Sequence, residues 1–305
     1  MRELIFATRP SQLARWQTHW VQEQLQQTWR GLVCRIEVIR TSGDRELDRP
    51  LPEIGGKGLF THELEEALLQ GRVDAAVHSL KDLPVEEKPG LITGLIPERE
   101  DSRDVLITRN GETLQALPFG AVIGTSSIRR QAQLLAYRPD LKIRPVRGNV
   151  ETRVKKALAG EYDAIILAAA GIKRLGMTAV ISEYLSYDVM LPAPGQGALA
   201  VQCRSDNDET LRFLGKLESK QARAEVMAER AFLSGLGGGC SLPVAARAVY
   251  EADERVFLQG LIASPDGRQV IRVSGRGRDP TSLGNELANQ ALTEGAARLL
   301  EAIWS

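Results

Sequence analysis

The chain has 305 residues, with 39 lysines and arginines against 39 aspartates and glutamates and a formal net charge of zero. That length holds two or three domains with sizeable cores. The balanced charge excludes a global field that would draw the chain to nucleic acid or to a membrane surface. Cys34, Cys203 and Cys240 cannot all pair, and their spacing fits no zinc or redox motif. The opening MRELIFATRPSQ has an apolar run too short for a signal peptide, and no stretch could span a bilayer. The expected setting is a reducing cytoplasm, and nothing in the sequence calls for more than a monomer.

In chain order, ELIFAT reads as a strand and SQLARWQTHWVQEQLQQ as a helix with Ser11 at its N-cap. CRIEVIRT is the next strand, LFTHELEEALLQG a helix ending at Gly71, and VDAAVHSL a strand closed by Pro84. Strands alternating with helices predict an α/β architecture with a substantially parallel sheet. A second unit repeats the first. ALLQGRVDAAVHS and ALAGEYDAIILAA share a helix end, a glycine, G-x-x-D-A and an apolar strand. IFATRPSQLARWQ and VIGTSSIRRQAQL share a strand, a threonine, a serine and a helix with arginine and glutamine. The stretch LITGLIPEREDSRDVLI is the expected crossing between the units, and VMLPAPGQGALAVQC the return, with GALAVQCR rejoining the first unit. Three domains are therefore expected: 1–98 with 198–216, 99–197, and 217–305. The last is a small α+β unit with strands near 244–249, 255–263 and 268–274, an SPDG turn and a final helix over about 281–303.

The densest chemical signal lies in residues 124–156, where nine lysines and arginines stand against Asp140 and Glu151. Arg129 and Arg130 fall in the first turn of a predicted helix, where cations oppose the helix dipole. A helix N-terminus with guanidinium forks is an anion site. Arg147, before a Gly-Asn pair, belongs on a strand-to-helix loop and fits the same role. Arg138 and Lys156 read as solvated surface charges. The GGKGLFT loop at 55–61 lacks phosphate-loop spacing and reads equally as a flexible connection or a ligand-covering loop. HSLKDLP puts polar residues at the end of a buried strand, where open α/β sheets bind ligands. Ser79, Lys81 and Asp82 reach one ligand only if the strand has ended near Ser79. Asp82 is then the candidate acid–base or cation-stabilising group, while His78 reads as a core histidine. Cys34 and Cys203 lie in strand-like segments and read as packing thiols. Cys240, in LSGLGGGCSLP, sits on a loop of glycines that lets a bulky group approach the backbone.

Taken together, ATRPSQLA, GGKGLFTHELE, HSLKDLP, GTSSIRRQAQL, RGNVETRV, YDAIILAAAGIKRLG, PAPGQGALAVQCR and GGGCSLPVAA resemble the porphobilinogen deaminase (hydroxymethylbilane synthase) family. They occur in family order over nearly the whole chain; His62 stands where members often carry lysine. The resemblance implies an α/β fold of two periplasmic-binding-protein-like (type II) domains around a cleft plus the small α+β C-terminal domain. It implies a transferase that polymerises four porphobilinogens, with loss of ammonia, on a dipyrromethane cofactor held as a thioether by Cys240. Water then releases 1-hydroxymethylbilane. By resemblance, Lys81, Asp82, Ser127, Arg129, Arg130 and Gly148 join Cys240 in holding the cofactor. Arg9, Ser11, Lys57, Ser79, Arg147, Arg153, Arg174 and Gln196 meet substrate, and Asp82 is catalytic. The expected partners are porphobilinogen and the growing oligopyrrole, with no metal, nucleic acid or membrane. Successive additions call for motion of the domains or of the 55–58 loop. The competing class is a reversible organic-anion binder of solute-binding fold, in which Cys240 is incidental. A cysteine hydrolase is a more distant alternative, since no histidine lies near Cys240 in the sequence.

Overall fold

A computed structural model of the chain describes residues 2–45, 59–238 and 242–304. Lys57, the glycines of the 55–58 loop and Cys240 lie outside the described residues. The chain divides into two compact units, Met1–Glu100 with Ala198–Arg223, and Asp101–Gly197 with Ala224–Ser305.

The first unit is built on a sheet of order β2-β1-β3-β10-β4, formed by β1 (Arg2–Thr8), β2 (Leu32–Val38), β3 (Ala75–Ser79), β4 (Leu91–Leu95) and β10 (Leu199–Arg204). Strands β2, β1 and β3 run parallel, and β10 runs antiparallel between β3 and β4. Side chains of β1 alternate between two apolar layers. Leu4 and Phe6 join Val21 and Leu25 of the helix Gln12–Thr28, while Ile5 and Ala7 join Leu64 and Leu68 of the helix His62–Leu69. Burial of both faces explains why the strands read as continuous apolar runs.

The second unit carries a sheet of the same plan, β7-β6-β8-β5-β9, formed by β5 (Asp104–Thr108), β6 (Val122–Gly124), β7 (Lys142–Arg144), β8 (Ala164–Ala168) and β9 (Glu183–Tyr184). Again four strands run in one direction and one, β5, is antiparallel between the third and the last. The antiparallel strand comes last in the chain in the first sheet and first in the second. Each sheet is therefore substantially parallel, with four of its five strands in one direction, and the one reversed strand enters along the crossing or the return.

The repeated G-x-x-D-A has one structural meaning in both units. Gly71 and Gly160 end their helices at φ +68° and +79°, a region open to glycine. Asp74 then accepts from the Ile5 N–H at 2.9 Å and donates its own N–H to the Ile5 carbonyl at 2.8 Å. Asp163 does the same to Val122, at 2.6 and 3.0 Å. Each aspartate, just before the third parallel strand begins, thus fixes that strand's register against β1 or β6.

The second unit also holds an antiparallel sheet β11-β12-β13, formed by Val244–Tyr250, Val256–Ala263 and Val270–Gly277. It packs on the helices Lys220–Gly235 and Pro280–Ala291 through Phe232, Leu258, Val273 and Leu287. The SPDG turn docks on the helix Ile128–Tyr137, where Gln131 Nε2 donates to the Pro265 carbonyl at 3.1 Å. The expected single final helix is interrupted: Gly295, at φ 115°, breaks it before Ala297–Trp304.

Candidate functional site

In the first unit the loops that follow the carboxyl ends of β1, β2 and β3 lie at one sheet edge, the usual ligand edge of such sheets. Arg9 and Ser11 follow β1. Ser11 caps the helix Gln12–Thr28 by accepting from the Ala14 N–H at 3.2 Å. Gln17 of that helix donates to Ser79 Oγ at 2.9 Å, which brings the end of β3 against the helix start. The strand ends at Ser79, and a 3-10 turn, Leu80–Asp82, follows it. That turn meets the condition set by strand alternation, since Lys81 and Asp82 no longer obey a two-residue period. Asp82 is exposed and Lys81 half-buried.

Arg9 is more committed than its sequence position suggests. Its Nη2 and Nε reach Asp44 Oδ1 and Oδ2 at 2.6 and 3.3 Å, and its guanidinium lies 4.1 Å from the centre of the Phe60 ring. Burial pushes the Asp44 carboxyl up, but Arg9 and the Thr41 hydrogen bonds outweigh it and hold the carboxyl below its usual range.

His78 is buried, and its Nε2 has no hydrogen-bond partner among the described residues. Burial, then the charge of Arg9, draws its pKa down to about 4, with the Gln202 side chain opposing. The folded value lies below the unfolded one near 6.5. The stability linked to His78 is therefore complete above pH 6.5 and is lost as pH falls toward 4, up to about 3 kcal/mol. Denaturant melts at pH 7 and pH 4.5 should show this acid loss shrinking by about 2 kcal/mol in His78→Gln. An equal loss in both proteins would mean that His78 titrates normally in the fold.

In the second unit the corresponding edge carries most of the expected cations. Ser127 caps the helix Ile128–Tyr137, accepting from the Arg130 N–H at 3.4 Å. Ser126 Oγ donates to the Val146 carbonyl at 2.9 Å and accepts from its N–H at 3.1 Å. These two bonds tie the loop before the helix to the loop that carries Arg147 and Gly148. Arg147 makes no ion pair or hydrogen bond among the described residues. Gly148 has φ +109°, and a Cβ there would lie 2.8 Å from Thr152 Cγ2, so the position requires glycine. Its carbonyl accepts from Arg153 Nε at 2.7 Å.

Arg129 and Arg130 are 5% and 7% exposed and share one carboxylate, Asp104, which is 0% exposed. Arg130 Nε and Nη2 donate to Asp104 Oδ1 at 3.1 and 2.7 Å, and its Nη1 donates to the Ile166 carbonyl at 2.9 Å. Arg129 Nη1 lies 2.8 Å from Asp104 Oδ2, an ion pair off the hydrogen-bond axis, and donates to the Leu191 carbonyl at 2.6 Å. Burial pushes the Asp104 carboxyl up, but the two guanidinium groups more than reverse this and hold it well below the usual carboxylate range. Burial lowers Arg129 from its usual range; Asp104 opposes the shift and Arg130 adds to it. Gln196 is fully buried, with Nε2 donating to Asp104 Oδ1 at 3.0 Å and to the Ser102 carbonyl at 2.8 Å. Arg174 is 8% exposed and donates to the Gly197 carbonyl at 2.7 Å.

Sequence reasoning missed Asp104 and Asp44. The signal for Asp104 was an ionisable residue opening the otherwise apolar β5, in SRDVLIT. A cavity of about 710 Å³ in the second unit, bordered by Arg103, Tyr187 and Arg247 among others, includes none of the expected site residues. Arg138 is held by Asp140 at 2.7 Å and by the Leu114 carbonyl at 3.0 Å, a structural bracket rather than a solvated charge.

Among the described residues Cys203 is buried and Cys34 half-buried. Burial pushes both thiols up to about 11. About one in a thousand is thiolate at pH 8. Mass mapping after brief native alkylation at pH 8 should find both unlabelled, and both labelled after denaturation. Labelling of either at the rate of a free thiol would contradict the burial described.

Two α/β sheets of one plan carry cations in the loops at the carboxyl edges of their parallel strands, the chemistry that suits a carboxylate ligand. Residues 4–212 match the family model for the dipyrromethane cofactor binding domain of porphobilinogen deaminase, and residues 223–293 match its C-terminal domain. The chain is 47% identical over 304 residues to porphobilinogen deaminase of Geobacillus sp. (strain WCH70), covering 99% of this chain and 98% of the relative. It is 51% identical over 298 residues to porphobilinogen deaminase of Roseiflexus castenholzii, covering 97% and 98%. The chain belongs to the porphobilinogen deaminase family. A solved periplasmic binding protein from Salmonella typhimurium is similar at a TM-score of 0.40 and 17% identity, over 71% of this chain and 92% of its own.

Proposed function

We propose that the protein deaminates porphobilinogen and joins four molecules of it head to tail on a dipyrromethane group attached to Cys240, releasing 1-hydroxymethylbilane. One observation carries the reading: two buried guanidinium groups face the single carboxylate of Asp104, leaving one uncompensated positive charge. An unbalanced buried cation is costly until an anion meets it. Each pyrrole ring of the cofactor and substrate carries an acetate and a propionate, so the donor set fits the group. Arg147, without a partner in its loop, adds a second place for a carboxylate. The bound dipyrromethane supplies the pyrrole α-carbon on which the chain is extended.

The remaining roles belong to the chain's own residues. Ser127, Arg129, Arg130, Lys81 and the Gly148 backbone hold the cofactor. Arg9, Ser11, Lys57, Ser79, Arg147, Arg153, Arg174 and Gln196 bind or frame the substrate. Loss of ammonia from porphobilinogen leaves a pyrrole cation. The Asp82 carboxylate stabilises that cation and accepts the proton released when the new carbon–carbon bond forms. The family match to a cofactor-binding domain favours this enzyme over a reversible anion binder. A thiol that must stay reduced until it is loaded suits the cytoplasm; no helix among the described residues is long and apolar enough to cross a membrane. The test is stoichiometric. Purified protein given porphobilinogen should release one ammonia for each molecule consumed, together with a hydroxymethyl tetrapyrrole. Porphobilinogen left unchanged would contradict the reading.

A further inference from the structure

Two guanidinium groups on one buried carboxylate is an arrangement that fold stability does not call for, since one arginine would neutralise Asp104. The nitrogens are also used unequally. All three of Arg130 are spent, on Asp104 and on the Ile166 carbonyl. Arg129 spends only Nη1; its Nε and Nη2 have no acceptor among the described residues, although the side chain is 5% exposed. Asp104 is itself fixed. It opens β5 opposite Ala168 of β8, and its Oδ1 accepts three donors, two from Arg130 and one from Gln196.

We infer that Asp104 is a positioning residue, whose buried carboxylate cancels one of the two charges and turns Arg129 so that Nε and Nη2 stay free for one carboxylate of the bound pyrrole chain. Nε and Nη2 form the side-on fork that grips a carboxylate through two parallel bonds. Through Gln196, the same oxygen also fixes the return segment relative to that fork. This inference rests on the function proposed above.

The test compares wild type, Asp104→Asn and Asp104→Glu by cofactor content (intact mass), circular dichroism, and KM and kcat for porphobilinogen. Asp104→Asn keeps the shape but turns an amide N–H toward a guanidinium. Its folded protein should carry less than a tenth of the wild-type cofactor. Asp104→Glu keeps the charge and displaces it by one methylene. It should recover most of the cofactor, with KM raised at least fivefold and kcat changed less. A purely structural role would lower the melting temperature and leave the cofactor content and KM of the folded protein unchanged, which would overturn the inference. If Asp104→Asn does not fold, Asp104→Glu decides: a wild-type KM overturns the inference, and a raised KM with wild-type circular dichroism supports it. Wild type that neither carries pyrroles nor gains them from porphobilinogen would instead overturn the proposed function, whatever the variants do.

Discussion

Asp82→Ala should fold, keep its bound pyrroles and lose at least a hundredfold in turnover. The expectation about folding comes from placement: Asp82 is exposed, at the end of the 3-10 turn after β3. Substitutions at such positions usually change stability by about 0.5 kcal/mol or less. The loss of turnover follows from chemistry. A positioned acid–base group contributes about 10²–10⁴ in rate, and a group aimed at developing charge contributes about as much. Asp82→Asn should lose as much as Asp82→Ala, because it keeps the size and removes both the charge and the proton acceptor. Single-turnover kinetics on the loaded protein make the measurement. Near-wild-type rates in Asp82→Ala would remove this residue from the mechanism.

Arg129→Leu and Arg130→Leu should lower stability and abolish cofactor loading together. Each change leaves Asp104 paired, so the cost is that of the lost buried hydrogen bonds, about 1–3 kcal/mol. For a unit of this size that is a fall in melting temperature of about 5 °C. Arg130→Leu should be the more severe, because it also strips the donor from the Ile166 carbonyl. Each change leaves one arginine on one aspartate, a neutral pair with no charge left for a ligand. Melting curves together with intact mass separate the two roles. Normal cofactor content in both variants, at any melting temperature, would mean that the pair is only a strut.

The parts of the fold that could be read early are those set by local chemistry. The G-x-x-D-A repeat was legible because each glycine ends a helix and each aspartate brackets a strand within its own motif. Ser11 and Ser127 were legible in the same way, as side chains that cap the helix they precede. The antiparallel sense of β5 and β10 was not, because apolar period fixes which face a strand buries and says nothing of its direction. Nor was the break at Gly295, since the helical pattern runs on through it. In the site, Arg129 and Arg130 stood out as misplaced charges, yet their partner lies 26 residues upstream of Arg130, on a strand of the sheet beneath their helix. Such a pairing is made by tertiary packing alone. The role of Cys240 came from the resemblance: glycines around a thiol speak of access, and residue spacing cannot say what the thiol holds.

The most direct test is the mass of the purified, denatured protein. The proposed function predicts an excess over the chain mass equal to two porphobilinogens less two ammonias, carried by the peptide that contains Cys240. A bare chain mass that does not change on incubation with porphobilinogen would contradict it.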